Sequence, residues 1–145
     1  MGELYDADVF EWSQQQSALL RRRAAGKLVN EAELDWPNIA EEIESVGNSQ
    51  LRAVRSLLLQ ALVHDLKAEA WPVSSYVSGW RSEARRFRID AADAYTPSMR
   101  QHVDVAVIYR RALRVMPETI DGQPPLPVPE TCPVTLEELL SEDEA

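Results

Sequence analysis

The stretch from Trp36 to Trp71, WPNIAEEIESVGNSQLRAVRSLLLQALVHDLKAEAW, limits the fold more than any other part of the chain. Ile39, Ile43, Val46, Val54, Leu57, Leu58, Ala61 and Leu62 recur at three- and four-residue spacing, the period of a helix with one broad buried face. Asp35 is placed to cap its free first-turn amides, and Pro37 falls where a missing N–H costs nothing. Glu41 and Glu42 suit the positive end of the helix dipole. At about 1.5 Å per residue the run spans roughly 50 Å, so the other elements must pack along it. Gly47, Asn48 and Ser49 are poor helix formers in succession, and the sequence leaves open whether the helix bends or breaks there or runs on. Pro72 ends it, because its ring cannot continue the ladder.

The remaining elements read as shorter helices. Residues 1–8 form a lead-in, and Asp8 with Glu11 fits a capping box at the start of a first helix. Val9, Trp12, Gln16, Leu19 and Leu20 make its inner stripe, Arg21–Arg23 suit its C-terminal end, and Gly26 stops it. The connection KLVNEAELD carries Leu28 and Leu34 as expected inward anchors. After the breaker-rich PVSSYVSG, the positions Val77, Trp80, Ala84, Phe87, Ala91 and Ala94 predict a helix, with Arg81, Arg85, Arg86 and Arg88 opposite. Thr96 and Pro97 predict the start of another, with Met99, Val103, Ala106, Tyr109, Leu113 and Met116 facing inward. From Pro117 the chain turns proline-rich and is expected to be extended and irregular. Thr135 and Glu138 form a second capping box, opening a short helix that docks through Leu136, Leu139 and Leu140.

Charge is distributed unevenly. The net −9 divides into a deficit of five over residues 1–75, an excess of four positive charges over 76–116 and a deficit of eight over 117–145. An acidic tail beside a basic segment is expected to lie across it. No apolar run approaches the ~20 residues of a membrane span, so no membrane partner is expected. The N-terminus lacks the basic and apolar regions of a secretory signal, which makes cytoplasmic residence the expectation. A single cysteine, Cys132, allows no internal disulfide.

Three phrases, YDADVFEWSQQQSALLR, LDWPNIAEEIESVG leading into LLLQALVHDLK, and LPETCPVTLEELL, occur in that order over nearly the whole chain. Together they resemble the DUF29 family of small bacterial proteins. The resemblance implies a mainly helical fold with an antiparallel bundle at its centre. It implies no reaction, cofactor or catalytic residue. Pro37 departs from the family phrase, where a non-proline, often Glu, is expected. The fold class expected is all-α, an antiparallel bundle of about four helices over residues 1–117. The proline-rich segment and short helix of 118–145 pack on it within the same single domain.

Candidate chemistries are few. A ferritin-like centre needs Glu-x-x-His pairs, but Ala61 precedes His64 and Met99 precedes His102 at that spacing. Glu42 and His64 lie about 33 Å apart on a straight helix and cannot meet. A site combining His64 with Trp12 and a carboxylate of the first helix, Asp8 or Glu11, remains open beside the plainer reading of His64 as a structural, hydrogen-bonded ring. No Gly-x-Ser-x-Gly turn or strand supports a hydrolase. Cys132, in an extended segment, reads as filler rather than nucleophile. Glu41, Glu42 and Glu44 read as solvated first-turn residues. The four tryptophans read either as core and end-plugs or as a pocket lining.

The basic group Arg81, Arg85, Arg86, Arg88, Arg110, Arg111 and Arg114 admits phosphate or nucleic-acid binding. The acidic whole and the lack of a docking motif disfavour nucleic acid. Pairing with Glu130, Glu137 and Glu138 of the tail, or with the acidic start of the long helix, is the expected use. The function expected is therefore a non-enzymatic interaction module that binds another protein or itself through a helix face, the arginine surface or the tail, antitoxin-like roles included. The alternative is a small-molecule or metal site around His64 and Trp12. No cofactor is expected.

Overall fold

The computed structural model describes residues 2–141, and its architecture is all-α with no strand among them. Six helices follow in order: α1 Gly2–Ala7, α2 Val9–Ala24, α3 Trp36–Ala70, α4 Val77–Ala94, α5 Val105–Val115 and α6 Leu136–Leu140. Short 3-10 segments occupy Glu31–Glu33 and Pro97–His102. The chain gathers into two compact units, Met1–Asn48 and Ser49–Ala145, and residues 118–141 pack with the second. No helix of the described residues is long and apolar enough to cross a membrane.

In the first unit the lead-in is itself helical. Asp8 still caps α2, its carboxylate accepting from the Glu11 N–H at 3.0 Å. Only half of the expected capping box forms, because α1 ends there and the Asp8 N–H already donates to the Leu4 carbonyl at 2.8 Å. At the other end of α2, Gly26 takes φ +78° and the N–H of Lys27 returns to the Arg22 carbonyl, while that of Gly26 returns to Arg23. This is the Schellman arrangement, which only glycine adopts without strain. The turn throws Leu28 outward, 93% exposed, and the inward anchors are Val29 and Leu34. Trp12, Leu34 and Ile39 form the small core, with Leu4, Tyr5, Leu19 and Leu20 around it. Val9, expected inward, is half exposed.

Helix α3 is continuous for 35 residues and passes through Gly47–Ser49 without interruption. Nothing lies within 4 Å of where a Gly47 Cβ would stand.

The second unit holds the larger core. Val54, Leu58, Leu62 and Leu66 of α3 meet Ala91 of α4, Ile108, Tyr109 and Ala112 of α5, and Leu136 and Leu139 of α6. Ala84 and Ala91 are fully buried on α4, as its periodicity predicts. The helix expected from Pro97 to Met116 forms in two pieces. Thr96 makes no side-chain cap, Pro97–His102 winds as 3-10, and Val103 is extended and buried. Asp104 then accepts from the N–H groups of Ala106 and Val107 and starts α5 afresh. The restart shifts the helical face, so that Ile108 and Ala112 are inside and Ala106 is exposed.

The proline-rich segment is tied down along its length. The Trp71 indole donates to the Gln123 carbonyl at 2.9 Å, and the Leu126 N–H to the Ala70 carbonyl at 2.9 Å. Asp121 and Gly122 both take positive φ between the reciprocally bonded Ile120 and Gln123, a tight reverse turn of the I′ kind. Tyr109 donates its hydroxyl to the Pro129 carbonyl at 2.6 Å. The Thr135–Glu138 capping box forms in both directions, and Leu136 and Leu139 are buried beneath it.

Candidate functional site

The residues expected to form a site around Trp12 and His64 each have local partners. Trp12 belongs to the first unit, where its indole Nε1 donates to the Asp35 carboxylate at 2.9 Å and its ring meets that of Tyr5 edge-on at 4.8 Å. Asp35, 2% exposed, also accepts from the Asn38 side chain at 2.8 Å. Its N–H donates to the Gln16 amide oxygen at 2.8 Å, and the Gln16 nitrogen donates to the Glu33 carbonyl at 3.0 Å. The Asn38 side chain, the Trp12 indole and the Asn38 main-chain N–H together hold the Asp35 carboxyl below its usual range despite burial. No buried side-chain nitrogen or oxygen of the described residues lacks a partner, so this network is saturated. Asp8 is committed to its cap and Glu11 is exposed.

His64 belongs to the second unit. Its Nδ1 lies 2.8 Å from the Gln60 carbonyl and must therefore carry a proton, and its ring lies 5.4 Å from that of Phe87. No three His, Cys, Asp or Glu side chains of the described residues gather as metal ligands do. Cys132 is half-buried, donates to the Val134 carbonyl at 3.2 Å, and has its thiol pKa pushed up by burial.

Two other features carry shape and charge. The first is an apolar groove between α2 and α3 in the first unit, about 230 Å³, with Trp12, Leu20 and Ile39 at its base and Ile43 and Val46 on its rim. Ile43 and Val46 read in the sequence as part of the buried face. They are 69% and 63% exposed, within a run from Ile43 to Asn48 that is exposed throughout. Phe10 of α2 is 70% exposed in the same unit. Glu42 lines the groove and accepts the Tyr5 hydroxyl at 2.5 Å, a bond that drives the Tyr5 pKa up to about 12. The unit carries four Lys/Arg against ten Asp/Glu.

The second feature is a cleft of about 590 Å³ in the second unit. Leu62, Leu66 and Tyr109 form its floor, all buried, with Asp65 and Glu69 from α3 on one wall and Arg81, Arg85 and Arg88 from α4 on the other. Pro133 and Val134 of the tail complete the rim. Arg81 pairs with Asp65 at 2.9 Å. Burial, then the nearby Glu69 carboxylate and Cys132, raise the Tyr109 pKa.

The expected pairing of the arginine group with the tail is corrected in detail. Arg81 is taken by Asp65 of α3 and Arg86 by Glu83 of its own helix. The tail's Glu137 pairs with Arg100, which the group did not include. Arg111 lines a separate cleft of about 600 Å³ with Arg52, Arg55 and His102.

A family model described as a domain of unknown function, DUF29, matches residues 4–144. Among solved structures, the chain is similar to the crystal structure of an alpha-helical protein of unknown function from Rhodospirillum rubrum. The two are 32% identical with a TM-score of 0.66, over 96% of this chain and 90% of the other. No curated protein matches.

Proposed function

This chain belongs to the DUF29 family, whose description assigns no activity, and from its geometry we propose that it is a non-enzymatic protein-binding module whose groove between α2 and α3 takes a basic amphipathic helix of another protein. The observation that carries this reading is the bare apolar rim formed by Ile43 and Val46. An isolated helical stretch with Gly47 and Asn48 has little propensity of its own, and an apolar stripe left in water forgoes the burial that normally holds such a helix. A helix laid in the groove supplies that burial, with anchors at three- and four-residue spacing. Charge selects the occupant. Glu42 and Glu44 flank the stripe within a unit whose acidic residues exceed its basic ones by six, which repels a second copy of the same unit and attracts Lys and Arg.

The test is titration with two synthetic 18-residue amphipathic helices, one of Lys and Leu and one of Glu and Leu, against the wild type and an Ile43→Asp/Val46→Asp variant. The reading expects saturable one-to-one binding of the Lys/Leu helix alone, weakened by salt and reduced at least tenfold in the variant. Equal binding by the variant reduces the attraction to charge alone and removes the groove from the account. A concentration-dependent dimer of the wild type that the variant abolishes makes the groove a self-association surface instead.

A further inference from the structure

The cleft beneath α4 is independent of the groove. Arg81, Arg85 and Arg88 stand on one face of α4 at spacings of four and three. Arg81 is neutralised by Asp65, whereas Arg85 and Arg88 make no ion pair or hydrogen bond with any described residue. Glu69 across the cleft is the one further carboxylate in its lining. Two unmatched guanidinium groups against one carboxylate leave a single positive charge in excess, over a floor of Leu62, Leu66 and Tyr109 that water cannot satisfy. The volume of about 590 Å³ is that of a small-molecule pocket, its lining divided evenly between charged side chains on the two walls and apolar or aromatic ones on the floor and rim.

We propose that this cleft binds a small organic monoanion, a carboxylate gripped by Arg85 and Arg88 with an aliphatic or aromatic body laid on Leu62, Leu66 and Tyr109. The guanidinium fork matches a carboxylate in two parallel hydrogen bonds, and the side chains are already aimed into the space. Glu69 sets the charge limit. It repels a dianion such as phosphate and leaves a single negative charge as the balanced load. The tail takes part through Pro133 and Val134, so the site exists only with the C-terminal segment docked.

The experiment is calorimetric and NMR titration of the full chain with hexanoate, with acetate, hexylamine and inorganic phosphate as comparisons. Saturable hexanoate binding is expected, moving the resonances of Leu62, Leu66 and Tyr109, with each methylene beyond acetate tightening binding about threefold to fourfold. An Arg85→Gln/Arg88→Gln variant, checked for folding by circular dichroism, weakens it at least tenfold. Arg86→Gln, outside the cleft lining, leaves it unchanged. Absence of saturable binding, equal binding of hexylamine, phosphate binding as tight as hexanoate, or indifference to the double substitution each overturns the proposal. Saturation by a polyglutamate peptide but not by hexanoate assigns the cleft to an acidic protein segment and overturns it equally.

Discussion

The indole N–H of Trp12 reaches 2.9 Å across to the carboxylate of Asp35, joining the first turn of α2 to the residue that precedes α3. With Gln16 bonded to the Asp35 N–H and the Glu33 carbonyl, two side chains of α2 hold the end of the connection that leads into α3. The start of the 35-residue helix is thus set by tertiary bonds as well as by its own cap. Removing either partner leaves a buried polar group unmatched. Trp12→Phe and Asp35→Ala should each lower the thermal midpoint, and each should do so more than Ser13→Ala. A Trp12→Phe midpoint equal to wild type would show the network to be idle.

The Asp35 carboxyl titrates below its unfolded value, about 3.9. The sign follows from linkage: the stabilisation is fully present above the unfolded value and is lost as pH falls through the folded one. Acid titration should release the Trp12 indole N–H, read by its NMR resonance, below pH 4. In Asp35→Asn that step should vanish, and an unchanged acid profile would exclude Asp35 as its source.

Tyr5 gives the opposite case. Its hydroxyl, bonded to Glu42, ionises at about 12. The contribution is complete below the unfolded tyrosine value of about 10 and is lost as pH rises through the folded one. The tyrosinate absorbance difference between wild type and Tyr5→Phe should therefore develop near pH 12. A difference centred near pH 10 contradicts the bond.

Gly47 is helical, with open space around its missing Cβ. Gly47→Ala should stabilise α3 by about 1 kcal/mol and raise helicity in circular dichroism. Loss of stability would mean that the glycine serves a close approach absent from the free protein.

Leu139 is 2% exposed at the end of the tail. Leu139→Ala should cost about 2–5 kcal/mol in urea unfolding, while Glu137→Ala, removing an exposed ion pair with Arg100, should cost about 1 kcal/mol or less. Deleting residues 118–145 should raise hydrogen exchange at Leu62, Leu66 and Tyr109, and unchanged exchange there contradicts the docking.

Much of the fold was legible because it depends on local chemistry. The three- and four-residue spacing marks α3 and α4, Gly26 marks the end of α2, and Thr135 with Glu138 marks α6. Errors arose where a local signal was overruled by its neighbour. Asp104 caps a new helix inside an apparently continuous pattern, and the turn at Gly26 throws Leu28 out and brings Val29 in. The Asp121-Gly122 reverse turn is a readable pair that lay hidden among prolines. The candidate sites were less legible for a different reason. Periodicity says that Ile43 and Val46 face one way but not whether anything covers them. Arg85 and Arg88 differ from Arg81 only in what stands opposite, which sequence spacing does not contain, whereas the Glu83–Arg86 pair lies at a helical spacing of three.

The most direct measurement is photo-crosslinking from a residue substituted at Val46, in the protein's own host cells, with the attached segment identified by mass spectrometry. The account predicts one recurrent segment of another protein, rich in Lys and Arg and with apolar residues at three- and four-residue spacing, lost when Ile43→Asp is introduced beside the probe. Crosslinks only to this same chain, or to an acidic or non-helical segment, would contradict it.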